Sequence, residues 1–240
     1  MNSTNSIRFS ATSHVGRVRK INEDSLISLP ELGVWLISDG MGGHAAGDFA
    51  SQTVTEAVAT IPAGLSPRAL MSSVRSAINR AHEAIQNAAA ENGGNTIGAT
   101  VVALIVTEGH FVSFWAGDSR LYRLRNGEIE LLTTDHSIVA NLVEAGNLTW
   151  DEAEHHPQSN AITRAVGVGD DFGVEKIRGD IIANDRFLLC SDGLNKYADF
   201  QTIEGILKSQ PIETVVDTLL NLALDRGGAD NISIIVIDIP

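Results

Sequence analysis

The sequence predicts an α+β fold in which antiparallel sheets carry helical layers on their outer faces. Apolar runs of strand length recur, rich in β-branched and aromatic residues, and turn signals such as Asn126-Gly127 separate them. Helical stripes come in consecutive pairs rather than alternating one for one with strands, which argues against repeating βαβ units. No linker, repeat or low-complexity stretch interrupts the 240 residues, so a single domain over 1–240 with a sizeable core is expected.

Taken in order, residues 7–13 alternate loosely and read as an edge or sandwich strand. A polar stretch, RVRKINEDS, leads to a short apolar run at 26–29 and then to the central strand, 33–38. From about His44 to Ile61, the residues Ala50, Val54, Ala57, Val58 and Ile61 share one helical face, and Pro62 and Gly64 end it. Ser66 and Pro67 open a second helix, with a stripe of Leu70, Val74, Ile78, Ala81, Ile85 and Ala88, closed by Asn92-Gly93-Gly94. Strands are expected at 98–106, 111–115, 121–124, 128–133, 172–178, 186–190 and 232–239. Helices are expected at 136–146, about 200–208 and 212–225, and the polar stretch 147–160, with little periodicity, reads as a mobile loop or short-helix flap.

Acids outnumber bases 30 to 17, a formal charge of −13. That argues against nonspecific nucleic-acid binding, for which a basic face supplies most of the affinity. No apolar run is long enough to cross a bilayer, and MNSTNSIRF lacks the hydrophobic segment of a secretory signal. The one cysteine, Cys190, excludes an internal disulfide framework and a multi-thiolate metal site, and a cytoplasmic setting is the simplest expectation.

The stretch Trp35–Gly47, WLISDGMGGHAAG, carries the chemistry. An apolar run ends in Ser38-Asp39-Gly40, so Asp39 is expected at the strand's exit, although Asp-Gly is also a common hairpin signal. The pattern recurs: an apolar strand runs into Asp192-Gly193, another into Gly117-Asp118-Ser119, and Gly227-Gly228-Ala229 leads to Asp230-Asn231 before the last strand. Each aspartate alone is more often a turn or cap residue. Stacked sheets, however, can gather such strand ends at one rim. A carboxylate cluster then repels itself unless a hard cation such as Mg²⁺ or Mn²⁺ joins it. Glu23-Asp24, just before the central strand, is the natural further contributor, and Arg17, Arg19 and Lys20 lie near enough to clamp a phosphate. Two metals roughly 3.5–4 Å apart can activate a shared water and hold a phosphoryl oxygen, so the local inference is metal-assisted phosphoester hydrolysis.

Competing chemistries lack their residues. Cys190 is followed by SDGLN and then Lys196, not by the arginine a thiol phosphatase needs, and its place at the end of an apolar strand reads as structural. There is no D-x-D or D-x-H pair and no G-x(4)-G-K-[ST] loop, and the seven histidines show no ligand-like spacing.

In order along the chain, GRVRKINEDS, SDGMGGHAAG, GATVVAL, WAGDSRLYRL, TTDHS, NAITRAVG, LLCSDGL and GGADNISIIVI resemble the metal-dependent, type 2C (PPM) protein serine/threonine phosphatases in their compact bacterial form, from Gly16 to Asn231. The resemblance implies an αββα four-layer sandwich with a centre of two Mn²⁺ or Mg²⁺ ions. Asp39 would bridge both ions, Asp192 and Asp230 would complete one, and Glu23 with the Gly40 carbonyl would serve the other. Asp118, with Asp192, matches the ligands of a third ion, and Arg19 matches the arginine that holds the substrate phosphate. Asp24 and Asn231 would orient ligands and waters, and residues at about 142–160 would correspond to the family's flap. Phosphoserine and phosphothreonine in proteins would be hydrolysed by a metal-activated water, opposing a serine/threonine kinase. Some members carry a histidine two positions after the bridging aspartate as a proton donor; here that position is Met41, with His44 three residues on, so the general acid stays open. Two alternatives are a non-catalytic regulator on the same fold, which should have lost ligands, and a small-molecule phosphomonoesterase.

Overall fold

Strand alternation builds three hydrophobic layers from two sheets. The computed structural model describes residues 7–42, 45–149, 152 and 156–240. One sheet takes β1 (Arg8–His14), β11 (Ile232–Asp238), β10 (Arg186–Cys190), β7 (Arg120–Arg125) and β8 (Glu128–Leu131) in that order. The other takes β2 (Asp24–Leu29), β3 (Val34–Met41), β5 (Val101–Thr107), β6 (His110–Ala116) and β9 (Glu175–Asp180), with β4 (Gly98–Ala99) pairing the end of β3. All the pairings are antiparallel.

Trp35 and Ile37 of β3, with Leu104 of the neighbouring β5, face the other sheet, where they meet Leu189, Ile235 and Ile237. Val34 and Leu36 face outward onto α1 (Ala45–Ala59) and α2 (Pro67–Glu91), against Val54, Val58, Val74 and Ile78. The opposite outer face, Leu188, Cys190, Ile234 and Val236, lies under α5 (Phe200–Ser209) and α6 (Val215–Asp225) through Ile203, Leu207, Val215 and Leu219. Period two in the strands and period 3.6 in the helices therefore generate the expected helix–sheet–sheet–helix order. The Ser66 hydroxyl caps α2 and Ser137 caps α3 (Ile138–Glu144), each accepting from the N–H three residues on. Asn126 and Gly127, both with positive φ, make the β7–β8 hairpin turn.

Some boundaries differ from expectation. The strand expected over 98–106 is split at Thr100 into β4 and β5, and the strand expected from 172 begins at 175. A short helix, α4 (Asp192–Asn195), follows β10, where none was expected. The expected flap lies partly outside the described residues. Among the described residues no helix is long and apolar enough to cross a membrane.

Candidate metal centre

Asp39 has the same parity in β3 as Trp35 and Ile37, so the strand that drives those side chains between the sheets aims a carboxylate there at the rim. Asp39 is not at the strand's exit, as the sequence suggested. Gly40 and Met41 continue β3 because they pair with Ala99 and Gly98 of β4. Across the β2–β3 ladder Asp39 sits directly opposite Asp24. Thr100 holds the Asp39 backbone from both sides: its N–H donates to the Asp39 carbonyl at 2.8 Å, and its hydroxyl accepts from the Asp39 N–H at 3.0 Å. The same hydroxyl lies 2.7 Å from that of Ser119, tying down the loop that carries Asp118.

The loop before β2 is clamped by Asn231. Its side-chain oxygen accepts from the Glu23 N–H at 2.8 Å, and its amide nitrogen donates to the carbonyls of Val15 and Ile21 at 2.9 and 3.0 Å. The Gly40 N–H donates to the Glu23 carbonyl at 3.0 Å. A Cβ on Gly47 would come within 2.5 Å of a Glu23 carboxylate oxygen, so the glycine lets the first turn of α1 approach that carboxylate.

Asp192 opens α4 where β10 surfaces. The preceding Ser191 hydroxyl donates to Asp24 at 2.8 Å and accepts from the Ser233 N–H at 2.9 Å, joining the two sheets beneath the cluster. Gly193 lies against the Asn231 carbonyl, which a Cβ would meet at 1.9 Å. Thus Glu23, Asp24, Asp39, Gly40, Asp118, Asp192, Asp230 and Asn231 are brought to one rim, and Arg19 reaches them from the loop before β2.

Burial holds the carboxyl groups of Asp24, Asp39, Asp118 and Asp192 above the usual carboxylate range, with Asp24 and Asp118 pushed up to about 7 and Asp39 well above. Mutual repulsion adds to it: Asp39 feels Asp24, Asp192, Asp118 and Asp230. One carboxylate oxygen of Asp24 and one of Asp192 are buried without a hydrogen-bond partner. Two side-chain cations meet part of the charge. Arg19 grips Asp230 with Nε at 2.9 Å and Nη2 at 3.1 Å, and Lys196 Nζ lies 2.5 Å from Asp192 and 3.6 Å from Asp230. Among the described residues no three such side chains are already closed into a coordination cage. The donor set is nevertheless all oxygen, crowded and under-neutralised, which suits a hard divalent cation.

Three contributors were missed in the sequence. Lys196 was visible only as the partner four residues after Asp192 on a helix that had not been foreseen. Thr100 and Ser191 carry no local signal, since their partners are remote in the chain. His44 lies outside the described residues, and the Met41 methyl rests against Gly98. Cys190 is fully buried, and burial pushes its thiol up to about 12, as a structural cysteine requires.

A profile of the family described as Protein phosphatase 2C matches residues 12–232. The serine/threonine protein phosphatase PstP of Mycobacterium tuberculosis is 35% identical over 97% of this chain, which spans about half (45%) of that protein's length. The serine/threonine phosphatase stp of Listeria monocytogenes is 33% identical over 93% of this chain and 92% of its own. Among solved structures, PppA, described as a key regulatory component of T6SS in Pseudomonas aeruginosa, superposes with a TM-score of 0.91 at 40% identity, covering 99% of both chains. The PstP catalytic domain in complex with two manganese ions superposes with a TM-score of 0.86 at 33% identity, covering 97% of both chains. With a profile spanning nearly its whole length, relatives above 30% identity and solved structures of the same fold, the chain belongs to the protein phosphatase 2C family.

Proposed function

We propose that this protein is a Mn²⁺/Mg²⁺-dependent protein serine/threonine phosphatase that hydrolyses phosphoserine and phosphothreonine. The observation that carries the proposal is the convergence of five aspartates, two of them with a buried carboxylate oxygen that no hydrogen bond satisfies. Asp39, central in the cluster, would be shared by two ions. Asp192 and Asp230 would complete one, Glu23 and the Gly40 carbonyl the other, and Asp118 with Asp192 could take a third. When bound, the ions supply Lewis-acid charge and an activated water at neutral pH.

The protein's own groups do the rest. Arg19 is half-exposed and turned into the cluster by Asp230, so its planar donors face the place a phosphate would enter. A phosphate there exchanges one carboxylate partner for another anion without moving the guanidinium far. Ser191 and the Asn231 amide hold Asp24 and the Glu23 loop in place, so the donors need little reorganisation when charge develops. Met41 offers no proton to the leaving alcohol, and that role falls to another group. The relatives' names supply the substrate class, phosphorylated proteins. An opposing serine/threonine kinase, a cytoplasmic setting and one catalytic domain over 1–240 go with this reading.

Asp39→Asn and Asp230→Asn should each lower Mn²⁺-dependent hydrolysis of a phosphothreonine peptide by at least about a hundredfold, while circular dichroism stays that of the wild type. Wild-type turnover in either variant overturns the assignment. Turnover of sugar phosphates in preference to the peptide would instead identify a small-molecule phosphomonoesterase.

A further inference from the structure

Lys196 has no place in the reading above, yet it is fastened to the centre's edge. Its N–H donates to the Asp192 carbonyl at 3.1 Å, and Leu194 and Ala198 on either side are buried. The adjacent Tyr197 is tied to the loop carrying Asp230: its hydroxyl accepts from the Ala229 N–H at 2.9 Å, and its carbonyl accepts from Arg226 Nη1 at 2.7 Å. Backbone and neighbours therefore hold the lysine stem between the two acid-bearing segments. Only about a third of its side chain is exposed, at 34%. Its ammonium occupies one Asp192 oxygen, whereas the other Asp192 oxygen is buried with no hydrogen-bond partner.

We propose that Lys196 is a tethered counter-ion that competes with divalent cations for Asp192 and Asp230, and so sets how tightly the protein holds its metal. The proposal rests on the metal-centre reading above. A cation entering between these carboxylates must share them with an ammonium held at contact distance, or push it away into solvent. Like charges a few ångströms apart in a half-buried site repel far more than they do in water. The same ammonium screens the repulsion between Asp192 and Asp230, so it steadies the ion-free fold while weakening ion binding. Arg19 does not duplicate it, because it forms its hydrogen bonds and ion pair with Asp230 from the opposite loop and acts on Asp192 only through space.

Titration calorimetry with MnCl₂ on the chelator-stripped wild type and on Lys196→Met, Lys196→Gln and Lys196→Arg tests this, alongside melting in EDTA. The Met and Gln variants should bind Mn²⁺ about tenfold tighter and melt lower in EDTA, while the Arg variant stays near the wild type in both. Using two neutral replacements guards against one of them misfolding. If the wild type binds Mn²⁺ but neither neutral variant binds it more tightly, Lys196 is not a competitor and the metal centre stands. If the wild type binds no Mn²⁺ at all, the metal-centre reading itself fails.

Discussion

Gly193 has room for a hydrogen and nothing larger. An added Cβ would lie 1.9 Å from the Asn231 carbonyl, a backbone atom that cannot swing aside. Accommodating it must separate α4 from the start of β11, and with them Asp192 from Asn231 and Asp230. Gly193→Ala should therefore cost about 1–3 kcal/mol, the range for overpacking a closed site. It should also weaken Mn²⁺ binding, although residue 193 carries no ligand. Urea denaturation in EDTA and calorimetric titration check the two effects, and a variant with wild-type values in both would show that the contact can relax. At this scale the sequence announced acids beside glycines, but it could not say which backbone each glycine was making room for.

Helix α2 is legible from its stripe alone, yet one of its buried residues, His82, serves a distant turn. The imidazole Nδ1 accepts from the Gly167 N–H at 2.9 Å, and the ring stacks on Phe172 at 4.4 Å. Burial lowers its pKa below the ordinary value, because a proton on that nitrogen would both charge a buried ring and abolish the acceptor. The unfolded chain then takes up the proton first, so the stability His82 confers is present above about pH 6.5 and lost as pH falls below it. His82→Leu should be less stable than the wild type by about 1–3 kcal/mol at pH 7.5, the cost of leaving a buried N–H unmet. That gap should narrow toward pH 5.5. The carboxylate cluster titrates in both proteins and cancels in the difference between their denaturation curves. A gap independent of pH would mean that His82 is not held neutral.

What the sequence missed at this scale has a common cause. The split at Thr100 follows from hydrogen bonds to Asp39, and the extension of β3 to Met41 follows from pairing with β4. Both depend on partners about sixty residues away, which local periodicity cannot register. The four-residue α4 is too short to show a stripe at all, and β9, an edge strand of mostly exposed residues, has little apolar alternation to mark its start. Long stripes such as Leu70–Val74–Ile78–Ile85, and turns such as Asn126-Gly127, need no such help.

Across the whole molecule, the acids come from five separate stretches that span nearly the entire chain and both sheets. A cation held by them would cross-link the native fold but find no counterpart in the unfolded chain. Mn²⁺ at about a hundred times its dissociation constant should then add roughly 2.7 kcal/mol of stability. For a chain of this size that corresponds to a rise in Tm of roughly 5–11 °C over the EDTA value. Differential scanning calorimetry with and without Mn²⁺ measures it, and an unchanged Tm would contradict a carboxylate metal centre. The net charge of −13 pointed to no site, since an acidic surface has the same sum. The position of each acid relative to its strand was what carried information.

The shared parity of Trp35, Ile37 and Asp39 also decides where this chain can change length. Deleting one residue between Ile37 and Asp39 would turn the carboxylate toward the helices and leave the reaction rim without its central acid, even with every residue type retained. Insertions belong instead where reading frame has no meaning, such as the bend around Gly64, which has nothing within 4 Å of its would-be side chain.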